Sequence, residues 1–79
     1  MDYGIFCVGD RKSGLYGMPF FQVNEECAKR EFIERFKDYP FKGDLSLYYI
    51  GGYSTETGKL LDSNVLNLES FIMDYPSEE

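Results

Sequence analysis

The stretch LYYIGGYSTETGKLL, residues 47–61, decides the fold. Within LSLYYIGGYS (45–54) aromatic and aliphatic residues run without a charge until the turn formers begin, which is the composition of a strand. TETGK (55–59) follows, and Gly58 suits the left-handed position of a type I turn with a bulge. Lys59–Leu61 then start a returning strand, so the stretch reads as a β-hairpin.

Upstream of this hairpin the spacing predicts a helix over about 25–38. Asn24 is a favoured N-cap, and Glu25 and Glu26 in the first turn complement the positive end of the helix dipole. Ala28, Phe32, Ile33, Phe36 and Tyr39 form an apolar stripe, and Pro40 ends the helix because the residue before a proline is pushed out of helical geometry. Three cations, Lys29, Arg30 and Arg35, stand four positions after Glu25, Glu26 and Glu31, the spacing of helix ion pairs.

Further upstream, YGIFCV (3–8) and LYGMPFFQV (15–23) flank GDRKSG (9–14), where Asp10 can cap a tight turn and Gly14 can take positive φ. Pro19 cannot donate to a sheet ladder, so the second strand belongs on an edge. The order is β-β-α-β-β. A right-handed crossover then gives an α+β fold with an antiparallel sheet in spatial order 2-1-3-4 and one main helix. Four strands span about 15–19 Å while one helix covers about 10–12 Å, so one helix leaves part of the sheet uncovered. The C-terminal segment either packs across the sheet or forms a short second helix, since Leu61, Val65, Leu68 and Ile72 recur at helical spacing.

All 79 residues read as a single domain, with 62–79 as an acidic, partly ordered tail. Residues 1–60 hold nine acidic and eight basic side chains, whereas 61–79 hold five acidic and none basic. A chain this short buries only about 60 to 65% of the surface its unfolded form exposes, and such domains usually need reinforcement. Two cysteines, no histidine and no paired ligand spacing leave no disulfide framework or metal site, so homo-oligomerisation is the expected route. The N-terminus carries Asp2 where a signal peptide needs positive charge, and no apolar run is long enough to span a membrane. An intracellular protein with reduced, buried Cys7 and Cys27 is expected.

No catalytic constellation is present: the chain lacks histidine, a nucleophile beside a plausible base, and the glycine-rich phosphate loops. Neither an enzyme nor a cofactor is expected. Seven Phe and seven Tyr remain as the functional material, and Tyr48, Tyr49 and Tyr53 are the expected partner or nucleic-acid surface together with Arg11, Lys12 and Lys59. Stacking on bases is one use of such rings; packing against the helix or a second subunit is the other. With the helix cations engaged, few remain for phosphates, so single-stranded DNA binding is expected to be weak and salt-sensitive.

The order of YGIFCVGDRKSG, MPFFQVNEECAKREF and LSLYYIGGYSTETGKL resembles the small nonstructural protein of gokushoviruses, the single-stranded DNA microviruses of bacteria. The resemblance rests on Asp10 and Lys12 after the first strand, and on Pro19 and Phe20 before Asn24 and a helix with Ala28, Arg30 and Phe32. It continues with Leu47, Tyr48, Ile50, Gly51 and Tyr53 leading to Thr57 and Gly58, and departs where Ser54 replaces a usual Asp. It implies a phage protein made in the cytoplasm of the infected host and absent from the virion. The implied role is in viral single-stranded DNA synthesis and genome packaging, through docking on a replication or packaging protein. Weak single-stranded DNA binding and modulation of a host protein are the alternatives.

Overall fold

The computed structural model describes residues 1–61 and 71–76. Its elements run β1 (Asp2–Asp10), β2 (Leu15–Tyr16), β3 (Phe20–Gln22), α1 (Glu25–Phe36), a short 3-10 turn (Lys42–Asp44), β4 (Leu45–Ser54), β5 (Leu60–Leu61) and β6 (Phe71–Asp74). Two long antiparallel strands, β1 and β4, form the spine. The path through the sheet is β2-β1-β4-β5, with β3 also on β1 and β6 also on β4.

The α+β class with an antiparallel sheet and one helix is as expected, and the strand order differs in detail from 2-1-3-4. The strand expected over 15–23 is two short strands on one edge of β1. Pro19 has no N–H to give, and at the break the Gly17 N–H donates to the Val8 carbonyl at 2.8 Å, which keeps the segment on the edge. The second difference is at the C-terminus. Phe71–Asp74 is neither a helix nor a segment crossing the sheet: it is a strand beside the first part of β4. That part of β4 would otherwise expose unpaired backbone groups, since β5 reaches only Gly52 and Tyr53. Val65 and Leu68 lie outside the described residues.

The two hairpin turns are built alike. Asp10 Oδ1 accepts from the Lys12 N–H at 2.8 Å, and the Gly14 N–H returns to the Asp10 carbonyl at 2.8 Å. Ser54 Oγ accepts from the Glu56 and Thr57 N–H groups at 3.3 Å, and the Gly58 N–H returns to the Ser54 carbonyl at 2.8 Å. Gly14 and Gly58 sit at φ 76° and 70°, the left-handed region where a Cβ is costly. A serine hydroxyl thus fills the position of the aspartate.

The helix starts as expected, with Asn24 Oδ1 accepting from the Cys27 N–H at 2.8 Å. It ends two residues early, at Phe36, so Tyr39 leaves the apolar stripe and lies exposed beyond it. Ala28 and Phe32 are buried against Phe6, Val8, Leu45 and Leu47. Tyr75 completes this core from beyond β6, its ring 5.4 Å from Phe32 and its hydroxyl donating to the Ile33 carbonyl at 3.1 Å. Of the three expected helix ion pairs, Lys29–Glu25 (3.1 Å) and Arg35–Glu31 form. Arg30 does not meet Glu26, which lies 3.8 Å from Lys29; its guanidinium instead reaches Cys27 Sγ at 3.9 Å.

Candidate functional site

Strand alternation sorts the aromatic residues onto the two faces of the sheet. On the helix side Phe6 stands opposite Tyr49 with rings 5.5 Å apart, and Phe20 joins them at 6.0 Å from Phe6. A bulge then changes the phase of β4: Phe6 pairs with Tyr49 while Ile5 pairs with Gly51, leaving Ile50 as the extra residue. Across that bulge Tyr48 and Tyr53, an odd number of residues apart, point to the same side.

That side carries no helix among the described residues. In register across it stand Tyr3 opposite Tyr53, Ile5 opposite Phe21, and Tyr48 opposite both Cys7 and Phe71. Tyr48 is the centre of one ring cluster, 5.5 Å from Tyr16 and 6.0 Å from Phe71. Phe21 and Tyr53 form a second, 5.8 Å apart. Rings of Tyr16 and Tyr48 close over Gly9, where an added Cβ would meet both within 2.8 Å. A glycine there lets the two tyrosines lie flat on the strand.

Much of this surface is open. Phe21 is 53% exposed, Leu60 59% and Phe71 45%, whereas Cys7 is buried beneath its neighbours. Burial pushes the Cys7 thiol up, away from the nucleophilic thiolate. Desolvation raises the Tyr16 phenol, with Tyr48 and Cys7 adding to it.

Among the described residues, charge is nearly absent from the face. Asp74 stands at its corner, where it accepts from Ser46 Oγ at 2.6 Å and meets an Arg11 guanidinium nitrogen at 3.2 Å. Arg11 is further tied to the carbonyls of Gly43 and Asp44, the latter at 3.3 Å from Nε. Arg11 and Lys12 belong to the turn after β1, and Lys59 to the turn after β4. Because β1 and β4 are antiparallel, those turns lie at opposite ends of a sheet about 30 Å long.

The six residues singled out from the sequence therefore divide. Tyr48 and Tyr53 share the open face, Tyr49 packs against the core from the helix side, and the three cations stand at the two ends. Phe21, Leu60 and Phe71 are members of the face that sequence reading did not assign to it. Strict period-two alternation along 45–54 would set Tyr53 on the side of Tyr49; the one bulge residue moves it to the side of Tyr48. Pairing of Phe71 with Tyr48 is a long-range contact with no local signal.

A cleft of about 360 Å³ opens on the other side, between the helix start and the sheet, lined by Asp2, Glu25, Phe6, Tyr49 and Leu61 among others. It holds no nucleophile beside a base. Among the described residues no three His, Cys, Asp or Glu side chains cluster to hold a metal, and no helix is long and apolar enough to cross a membrane.

Neither a curated protein nor a solved structure matches the chain. The sequence profile described as "Phage ORF5 protein" matches residues 3–72, which spans the helix, both long strands and the whole aromatic face, and the chain belongs to that phage protein family.

Proposed function

We propose that this protein is a noncatalytic, nonstructural accessory protein of a gokushovirus, acting in viral single-stranded DNA synthesis and genome packaging. It works in the cytoplasm of the infected bacterium, as a homo-oligomer that docks on a phage replication or packaging protein. The phage origin comes from the family; the narrower virus group comes from the resemblance of the strand, helix and hairpin segments. One observation carries the mode of action: the open sheet face is broad, aromatic and almost free of charge.

Such a face suits a protein partner better than a nucleic acid. Rings alone can stack on bases, but phosphate tracking uses on the order of six to ten cation contacts. Lys29, Arg30, Arg35 and Lys37 belong to the helix or its cap, on the other side of the sheet, and Lys42 lies over the Tyr75 ring at 5.4 Å. The three at the turns, Arg11, Lys12 and Lys59, are fewer than phosphate tracking uses, and Arg11 is already tied to Asp74 and to the Gly43 and Asp44 carbonyls. A protein surface with exposed aliphatic groups matches the face without charge partners.

The test is a pull-down from phage-infected cells, with and without nuclease, using the parent and Tyr48→Ala and Tyr53→Ala variants. A phage protein retained after nuclease and lost in both variants is the expected result. Recovery that disappears with nuclease, together with tight oligonucleotide binding by the purified protein, replaces this reading with single-stranded DNA binding. Retention of a host protein alone replaces it with host modulation.

A further inference from the structure

The sheet edge formed by β2 and β3 differs from the rest of the surface. From Ser13 to Asn24 no residue is charged, the longest such run in a chain where 28% of residues are. Five large hydrophobic side chains in this run are open to solvent: Leu15 71% exposed, Tyr16 43%, Met18 84%, Phe21 53% and Val23 43%. Exposed sheet edges are normally guarded by lysine or glutamate, because their free backbone groups invite another strand. Among the described residues the guards here are Pro19 and the shortness of β3.

We infer that this edge is the seam of a two-fold dimer, in which β3 of one copy pairs antiparallel with β3 of a second copy. The inference deepens the homo-oligomeric part of the proposed function, and it takes Phe21 from the aromatic face while leaving the cluster around Tyr48 free for the other partner. An antiparallel strand pair is its own two-fold partner, so one patch serves both copies. Centred on Phe21, the seam sets Phe21 against Phe21 of the second copy on the aromatic face, and Phe20 against Gln22 of the second copy on the helix face. Pro19 then faces Val23 of the second copy and Met18 faces its Asn24. All the exposed apolar groups of residues 18–23 reach the seam.

Three features select a second copy as the occupant. Two molecules of net charge −6 repel on most approaches, and the uncharged run lets them meet without opposing carboxylates. The exposed side chains of residues 18–23 offer roughly 400 Å² per copy, about 800 Å² in all, the size of a small, reversible interface. Pro19 and the break at Gly17 stop the pairing from lengthening, and a two-fold seam consumes the edge, so association closes at two. The Phe21–Tyr53 pairs of the two copies then become one continuous aromatic band.

The experiment is sedimentation equilibrium on the full chain at micromolar concentration. The parent is expected at twice the 9.2 kDa chain mass, and Phe21→Glu and Phe21→Lys each at the monomer mass, by like-charge repulsion at the axis. An equimolar mixture of the two variants is expected to recover the dimer. A monomeric parent, dimeric single variants, or a mixture that stays monomeric overturns the seam. If either variant loses the parent's far-UV circular dichroism, Met18→Glu replaces it, and an unchanged dimer affinity in that variant also overturns the seam. Tyr48→Ala separates this result from the docking reading: it should lose the pull-down partner and keep the dimer mass.

Discussion

The two cysteines differ in what the fold does to them. Cys7 lies on β1 under the rings of the open face, buried, with its thiol pushed up by desolvation. Cys27, in the first turn of the helix, is half-buried. Only a thiolate attacks an alkylating reagent, so reactivity follows exposure and acidity. Brief treatment of the native protein with iodoacetamide should therefore modify Cys27 first, and unfolding in denaturant should release Cys7. A mass spectrum showing equal labelling of both sites in the native state would place Cys7 outside the packed face. The expectation of two buried cysteines thus holds for the one on the central strand alone. Their sequence contexts already differ: Cys7 stands in the apolar run between Phe6 and Val8, and Cys27 follows Glu25 and Glu26 at the start of the charged helix.

At the level of elements, local chemistry was legible and long-range pairing was not. Asn24, Asp10, Gly14 and Gly58 each act through hydrogen bonds or dihedral preferences within four residues, and each stands as read from the sequence. Asn24→Ala should lower stability by about 1 kcal/mol through loss of the N-cap. Gly58→Val should cost about 2 kcal/mol, because an added Cβ would make only ordinary contact with the Tyr53 hydroxyl at 3.8 Å and the penalty is the left-handed backbone itself. Urea denaturation of the two variants checks both values, and parent-like midpoints would mean that the helix start and the second turn are wrongly placed. The division of the second strand was half legible: Pro19 marked the edge, but the bond from Gly17 to Val8 that splits it is a tertiary contact. Strand β6 had no local signature, and its apolar residues fit a helical period equally well.

For the molecule as a whole, the C-terminal acidity is distributed between structure and surface. Asp74 ties β6 to Ser46 and Arg11, and Tyr75 fills the core against Phe32. Truncation ahead of residue 74 should unfold the domain, since loss of a buried aromatic alone costs about 3 to 5 kcal/mol. Ending the chain at residue 76 removes Glu78 and Glu79 and moves the net charge from −6 to −4 while keeping Tyr75. Binding to a basic protein partner should then weaken, whereas binding to single-stranded DNA should tighten and fall steeply with salt. Isothermal titration of both variants at two salt concentrations reads the sign. The sequence by itself determined the two turns, the helix start and the apolar stripe from Ala28 to Phe36, because each depends on residues near in the chain. Only the tertiary structure decided which face each tyrosine occupies, that the cations lie at opposite ends, and that Phe71 and Tyr75 belong to the sheet and core. The physical reason is the period of two along a strand: one bulge residue at Ile50 inverts every side chain beyond it, and its position is set by the partner strand.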